Sequence, residues 1–136
     1  MRILLDTHAL LWALSAPDKL PAAVRHAVQA AENDVYASLA SAWEIAIKVA
    51  LRRLEFDVQS LEDSLAASGI QTLPISLKHT ARVAVLPRHH RDPFDRMLVA
   101  QALCESLTLA SRDRELAKYG VTLLWRERPR SGSRIA

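Results

Sequence analysis

Short apolar runs alternate with helix-spaced apolar patterns along this chain, and that alternation limits the fold more than any other property of the sequence. Ile3-Leu4-Leu5 is a continuous apolar run, as expected of a central parallel strand buried on both faces. Helical spacing follows from His8 to Ser15, and Pro17 ends it. Pro21 opens a second helix with Val24, Ala27, Val28 and Ala31 in register, and Asn33-Asp34 turns the chain into a strand at Val35-Tyr36-Ala37.

Ser38 or Ser41 then caps a helix reaching Leu51, with Trp43, Ile47, Ala50, Leu51 and Leu54 expected on its inner side. A helix over 61–67 stops at Gly69, Ile70 to Leu73 supply a strand before Pro74, and a helix over 77–86 ends at Pro87. Beyond the basic connector 87–91, Asp92-Pro93-Phe94-Asp95 opens the clearest helix. Its Leu98, Val99, Ala102 and Leu103 follow Asp95 at helical spacing, so Asp95 stands at the end of the buried stripe. Leu107 to Ala110 is a fourth strand, Ser111-Arg112-Asp113 turns into a short helix, and Val121 to Trp125 is the last strand. The expected architecture is a three-layer α/β/α sandwich around a mostly parallel five-stranded sheet. One domain covers 1–125, and a basic tail covers 126–136.

At 136 residues the chain is long enough to bury a core without disulfides or a structural metal. Cys104, the only cysteine, falls within an apolar helical pattern and reads as a small core residue. Asp6 arrives too early for a secretion signal, and no apolar run nears the roughly 20 residues of a membrane span, so a cytoplasmic protein without membrane contact is expected. The net charge is +3, with arginines crowding the last quarter, as basic surface around an acidic site would require for a polyanionic substrate. Three Trp, two Tyr and two Phe leave little for reading RNA by base stacking.

Four carboxylates stand at element junctions: Asp6 and Asp113 after strands, Glu44 and Asp95 in helix openings. Each has a local explanation as a cap or as a favourable charge at a helix start, with Ser41 to Glu44 fitting a capping box. Asp92 likewise reads as the cap before Pro93, with a supporting place beside the metal as the alternative. Yet in a parallel sheet all four junctions lie at one edge, where ligands bind. Carboxylates held that close repel, and besides protonation the remedy is a divalent cation. Hard oxygen donors without clustered Cys or His spacing point to Mg²⁺ or Mn²⁺, which suit phosphodiester hydrolysis. His8, His89 and His90 lack ligand spacing and stay outside this set. Leu10, Leu11, Trp12 and Leu14 exceed what one short helix hides, so either core packing or a protein-binding groove accounts for them.

The same residues resemble a known family. Leu4-Leu5-Asp6-Thr7-His8-Ala9, Trp43-Glu44-Ile45-Ala46-Ile47-Lys48, the run from His90 through Asp92-Pro93-Phe94-Asp95-Arg96 to Ala102, and Ser111-Arg112-Asp113 are similar to PIN-domain ribonucleases, in particular VapC toxins of toxin–antitoxin pairs. The resemblance implies sheet order 3-2-1-4-5 and a metal held by Asp6, Glu44, Asp95 and Asp113, with Ser111 in support. It also implies RNA as substrate, a cognate antitoxin as partner and a homodimer. Arg96 and Lys48 are candidates to face the site and hold phosphate. One departure is Arg52-Arg53-Leu54, where many relatives carry Gly-Lys-Leu. The expected function is therefore a Mg²⁺- or Mn²⁺-dependent endoribonuclease of a type II pair. Two alternatives stand beside it: a catalytically silent PIN-like module that binds RNA or protein, and a phosphoryl-transfer enzyme of the haloacid dehalogenase kind. His8 occupies the place of the second acid that the last alternative requires.

Overall fold

The computed structural model describes residues 1–126, and all of the expected basic tail beyond Arg126 lies outside the described residues. In chain order the elements are β1 (Arg2–Leu5), α1 (Thr7–Ser15), α2 (Ala22–Gln29), β2 (Asp34–Ser38), α3 (Leu39–Ala50), α4 (Leu61–Ala67), β3 (Ile70–Leu73), α5 (Leu77–Val85), α6 (Pro93–Glu105), β4 (Thr108–Ala110) and β5 (Leu123–Leu124). Single 3₁₀ turns lie at Pro17–Lys19 and Val58–Ser60, and a longer one at Arg114–Tyr119. The strands form one sheet in the order β3-β2-β1-β4-β5, and every pairing is parallel.

β1 lies in the middle, and its three leucine and isoleucine side chains are fully buried. Strand side chains alternate between faces, so Ile3 and Leu5 join Ala9, Leu10, Val24, Leu61 and Leu65 on one side of the sheet. Leu4 points the other way into Leu98, Val99, Ala102 and Leu109. Two apolar clusters separated by one sheet make the three layers, and each fully buried leucine contributes about 2 kcal/mol through surface withdrawn from water.

Four sequence expectations change or are decided here. Ser38 caps α3 by accepting from the Ala40 N–H at 3.0 Å, so Ser41 lies inside the helix and no Ser41–Glu44 capping box forms. The inner face of α3 is Ala40, Ser41, Glu44 and Ile45, whereas Trp43 is 63% exposed and Leu51 is also exposed. Ser41 and Glu44 look like surface residues in an apolar pattern, but hydrogen bonds to Thr7 make their burial possible. Leu10 is fully buried and Leu11, Trp12 and Leu14 pack against the core, so core packing accounts for the apolar excess of α1. β5 is shorter than the sequence suggests, since only Leu123–Leu124 pair while Val121 is buried ahead of them.

Arg52 closes α3 with φ 57°, the left-handed conformation that side chains disfavour. Arginine thus adopts a backbone that glycine would take without strain.

Candidate active site

β1 and β4 end level, and β2 runs one residue further. Leu5 is in register with Ala37 on one side and Ala110 on the other, so Asp6, Ser38 and Ser111 come next along one sheet edge. The Asp6 N–H donates to the Ala110 carbonyl at 3.0 Å, which carries the pairing one residue past the strand. A helix feeding a parallel strand runs against it, so the N-terminus of α6, with Asp92 and Asp95, lies at this same edge.

Asp6, Glu44, Asp95 and Asp113 line a single cavity of about 410 Å³, together with Lys48, Ser111 and Asp92. Four sequence-distant acids are thus brought together, and their capping roles prove compatible with it. Asp6 Oδ1 accepts from Ala9 N at 2.7 Å and starts α1, and the Ser111 hydroxyl favours the charged form of the Asp6 carboxylate. Asp113 Oδ1 accepts from Glu115 N at 3.0 Å, leaving Oδ2 for the cavity side. Asp92 caps α6 through Phe94 N at 2.8 Å and Asp95 N at 3.2 Å, and its charge also acts on Asp95.

Glu44 caps nothing. Thr7 Oγ1 donates to Glu44 Oε1 at 2.6 Å and lies 3.0 Å from Ser41 Oγ, a buried chain that fixes the carboxylate. Lys48 Nζ meets Glu44 Oε2 at 3.0 Å, so Lys48 does face the site. Arg96 does not line this cavity. Its guanidinium donates to the carbonyls of Pro87 at 2.9 Å, Val83 at 3.2 Å and Leu86 at 3.4 Å, and to the Tyr119 hydroxyl at 3.2 Å. Those acceptors make it a clamp on the connector between α5 and α6.

His90 is the member that sequence spacing missed. Its Nε2 lies 2.9 Å from Asp113 Oδ2 and 3.5 Å from Asp95 Oδ2. Nδ1 accepts the Asp92 N–H at 3.1 Å, which places the ring proton on Nε2, facing the two carboxylates. Ligand atoms of His90, Asp95 and Asp113 fall within 4.8 Å of one another, yet with Nε2 protonated His90 offers them a donor and no lone pair. The sequence signals were its place two residues before the Asp92 cap and at the head of the family-like run to Ala102. Thr7 and Arg112 were also overlooked; the Arg112 guanidinium lies 5.5 Å from the centroid of the Trp12 ring, and both residues line the cavity.

The charges reflect this crowding. Burial pushes the Asp6 carboxyl above its ordinary value, opposed by the Ala9 N–H, Ser111 and His8, while Glu44 pushes the same way as burial. Asp95 is pushed up to about 7, first by burial and then by Asp92, with Asp6 and Glu44 adding to it and His90 opposing. The donors are hard carboxylate oxygens short of positive charge, and that donor set fits a hard divalent cation.

An all-parallel sheet with helices on both faces and acids at its carboxyl edge defines the class. Within that class, this chain belongs to the PIN domain family, whose sequence pattern matches residues 3–121. A search of the curated proteins finds no match. Among solved structures, VapBC2 from Rickettsia felis bound to a DNA fragment from its promoter superposes with a TM-score of 0.69 at 17% identity, covering 93% of this chain and 100% of that one. FitAB bound to the IR36 DNA fragment gives 0.62 at 22% identity over 90% and 93% of the two chains. FitAcB from Neisseria gonorrhoeae gives 0.59 at 23% identity over 90% and 96%. No helix among the described residues is long and apolar enough to cross a membrane.

Proposed function

We propose that this protein is a divalent-metal-dependent endoribonuclease and the toxin of a type II toxin–antitoxin pair. The observation that carries the reading is the convergence of Asp6, Glu44, Asp95 and Asp113 on one cavity, two of them with raised pKa. Membership in a family whose members are generally nucleases supports it, as does likeness to chains of VapBC2 and FitAB complexes.

In this reading the four acids hold Mg²⁺ or Mn²⁺, which when bound activates a water and offsets charge on the leaving oxygen. Thr7 and Ser111 orient Glu44 and Asp6. Lys48 and Arg112, at the cavity wall, receive phosphate oxygens of RNA and balance the charge that the acids bring. A cognate antitoxin covers the site, and the toxin works as a cytoplasmic homodimer.

Incubating the purified chain with RNA and Mg²⁺ or Mn²⁺ tests this directly. Internal cleavage is expected, abolished by EDTA and reduced at least about hundredfold in Asp6→Asn and Asp95→Asn. Cleavage by folded Asp95→Asn at the parent's rate overturns the assignment, and RNA binding without cleavage at any metal concentration makes the protein a silent binding module.

A further inference from the structure

Beside the acid cavity lies a second cleft of about 630 Å³, lined by Arg88, His90, Arg91 and Arg96. Every lining residue is an arginine or a histidine, and no apolar side chain takes part. Arg88 and Arg91 are exposed, and among the described residues neither forms an ion pair. The connector that carries them is held firmly for a loop. Arg96 ties the Pro87 carbonyl to α6, and the Tyr119 hydroxyl accepts from both Arg96 and the His90 N–H, the latter at 2.8 Å. Carbonyl partners leave the positive charge of Arg96 uncancelled, so the cleft floor stays cationic.

His90 joins the two cavities. It lines the basic cleft while its Nε2 contacts Asp113 at 2.9 Å in the acid cavity. An anionic chain lying across the acids therefore passes directly onto the arginines. We infer that Arg88 and Arg91 form a subsite for an RNA phosphate next to the one that is cut. This inference rests on the ribonuclease reading of the acid cavity. A phosphodiester backbone is bound by charge alone, which is what this cleft offers. An acidic protein segment would find charge here but no apolar anchor of the kind that dominates protein interfaces. The subsite also answers an electrostatic problem, because an acid pocket repels a polyanion and a basic wall beside it draws the strand in and sets its direction.

The test uses the full chain carrying Asp95→Asn, so that RNA is bound without being cut. Anisotropy of a fluorescein-labelled oligoribonucleotide is followed through a KCl series, with and without Arg88→Ala plus Arg91→Ala. On a single strand each phosphate contact contributes about 0.7 to the salt slope, so the double variant is expected to lower the slope by about 1.4. Arg88→Lys plus Arg91→Lys is expected to restore it. In the Asp95 parent the alanine pair is expected to raise KM about tenfold and leave kcat within about twofold. An unchanged slope overturns the subsite while leaving the ribonuclease intact. Weakened binding of polyglutamate with unchanged RNA binding also overturns it, in favour of an acidic protein segment. Failure of the parent to bind or cut RNA at all overturns both readings.

Discussion

The ring of His90 points its Nε2 at Asp113 from 2.9 Å while its other nitrogen accepts a backbone N–H, so the contact is a hydrogen bond from imidazole to carboxylate. His90 is thus a hydrogen-bond donor to Asp113, not a lone-pair donor to a metal. His90→Ala is expected to lower stability by about 1 kcal/mol, the discounted worth of a half-exposed bond to a charged group, and to keep full Mn²⁺ stoichiometry. Denaturant unfolding and Mn²⁺ titration without RNA check this; loss of the bound Mn²⁺ would show that His90 is a ligand.

Asp95 gives a pH dependence with a definite sign. Its folded pKa of about 7 lies above the ordinary 3.8, so between those values the folded state holds a proton that the unfolded state has released. The stabilising contribution of this group is complete at low pH and is lost as pH rises towards about 7. In EDTA, the stability difference between the parent and Asp95→Asn should shift against the parent across that window. Divalent cations should bind more tightly over the same rise, and a flat difference curve would contradict the assignment.

Thr7 holds Glu44 through a 2.6 Å hydrogen bond inside the protein. Thr7→Val keeps the shape but leaves a buried carboxylate oxygen without its donor, so a loss of about 1–2 kcal/mol is expected. RNA cleavage should fall about tenfold or more through misplacement of Glu44, with Thr7→Ser retaining most of it. Unfolding curves and cleavage rates on the same samples separate the two effects.

Arg52 in its left-handed conformation predicts a gain. Relief of the side-chain clash, reduced by the extra chain entropy of glycine, should make Arg52→Gly about 0.5–1 kcal/mol more stable. For a chain of this length that is roughly 2–4 °C in Tm by calorimetry. A lower Tm would mean that the arginine side chain contributes something the backbone argument omits.

Arg96 is expected to act on the connector. Arg96→Lys cannot reach three carbonyls and the Tyr119 hydroxyl at once, so hydrogen exchange of the amides over 86–91 should speed up while that of β1 stays slow. Equal protection in both variants would remove the clamp.

Much of this was legible in the chain. The Ile3-Leu4-Leu5 run and the regular alternation with helices demanded a parallel sheet, and a parallel sheet carries Asp6, Asp95 and Asp113 to one edge. What could not be read was set by contacts distant in sequence. Trp43 fits an apolar stripe on α3, yet Ser41 and Glu44 occupy the inner face because Thr7, 37 residues from Glu44, supplies the partner. Arg96 looked like a phosphate ligand until four acceptors from other segments claimed it. Similarly, His90 enters the site only because Tyr119 and Arg96 fix the loop in front of α6.

The level ending of β1 and β4 also says where the polypeptide can change in length. Strand side chains alternate, so one residue inserted in β1 would turn Ile3 and Leu5 towards the layer that Leu4 fills, and would displace Asp6 from its place beside Ala110. The segment between α3 and α4 obeys no such parity, because it is not part of the sheet. Relatives of this protein should therefore differ by whole loops there while keeping the count from Ile3 to Asp6, and a library of single-residue insertions would draw the same boundary.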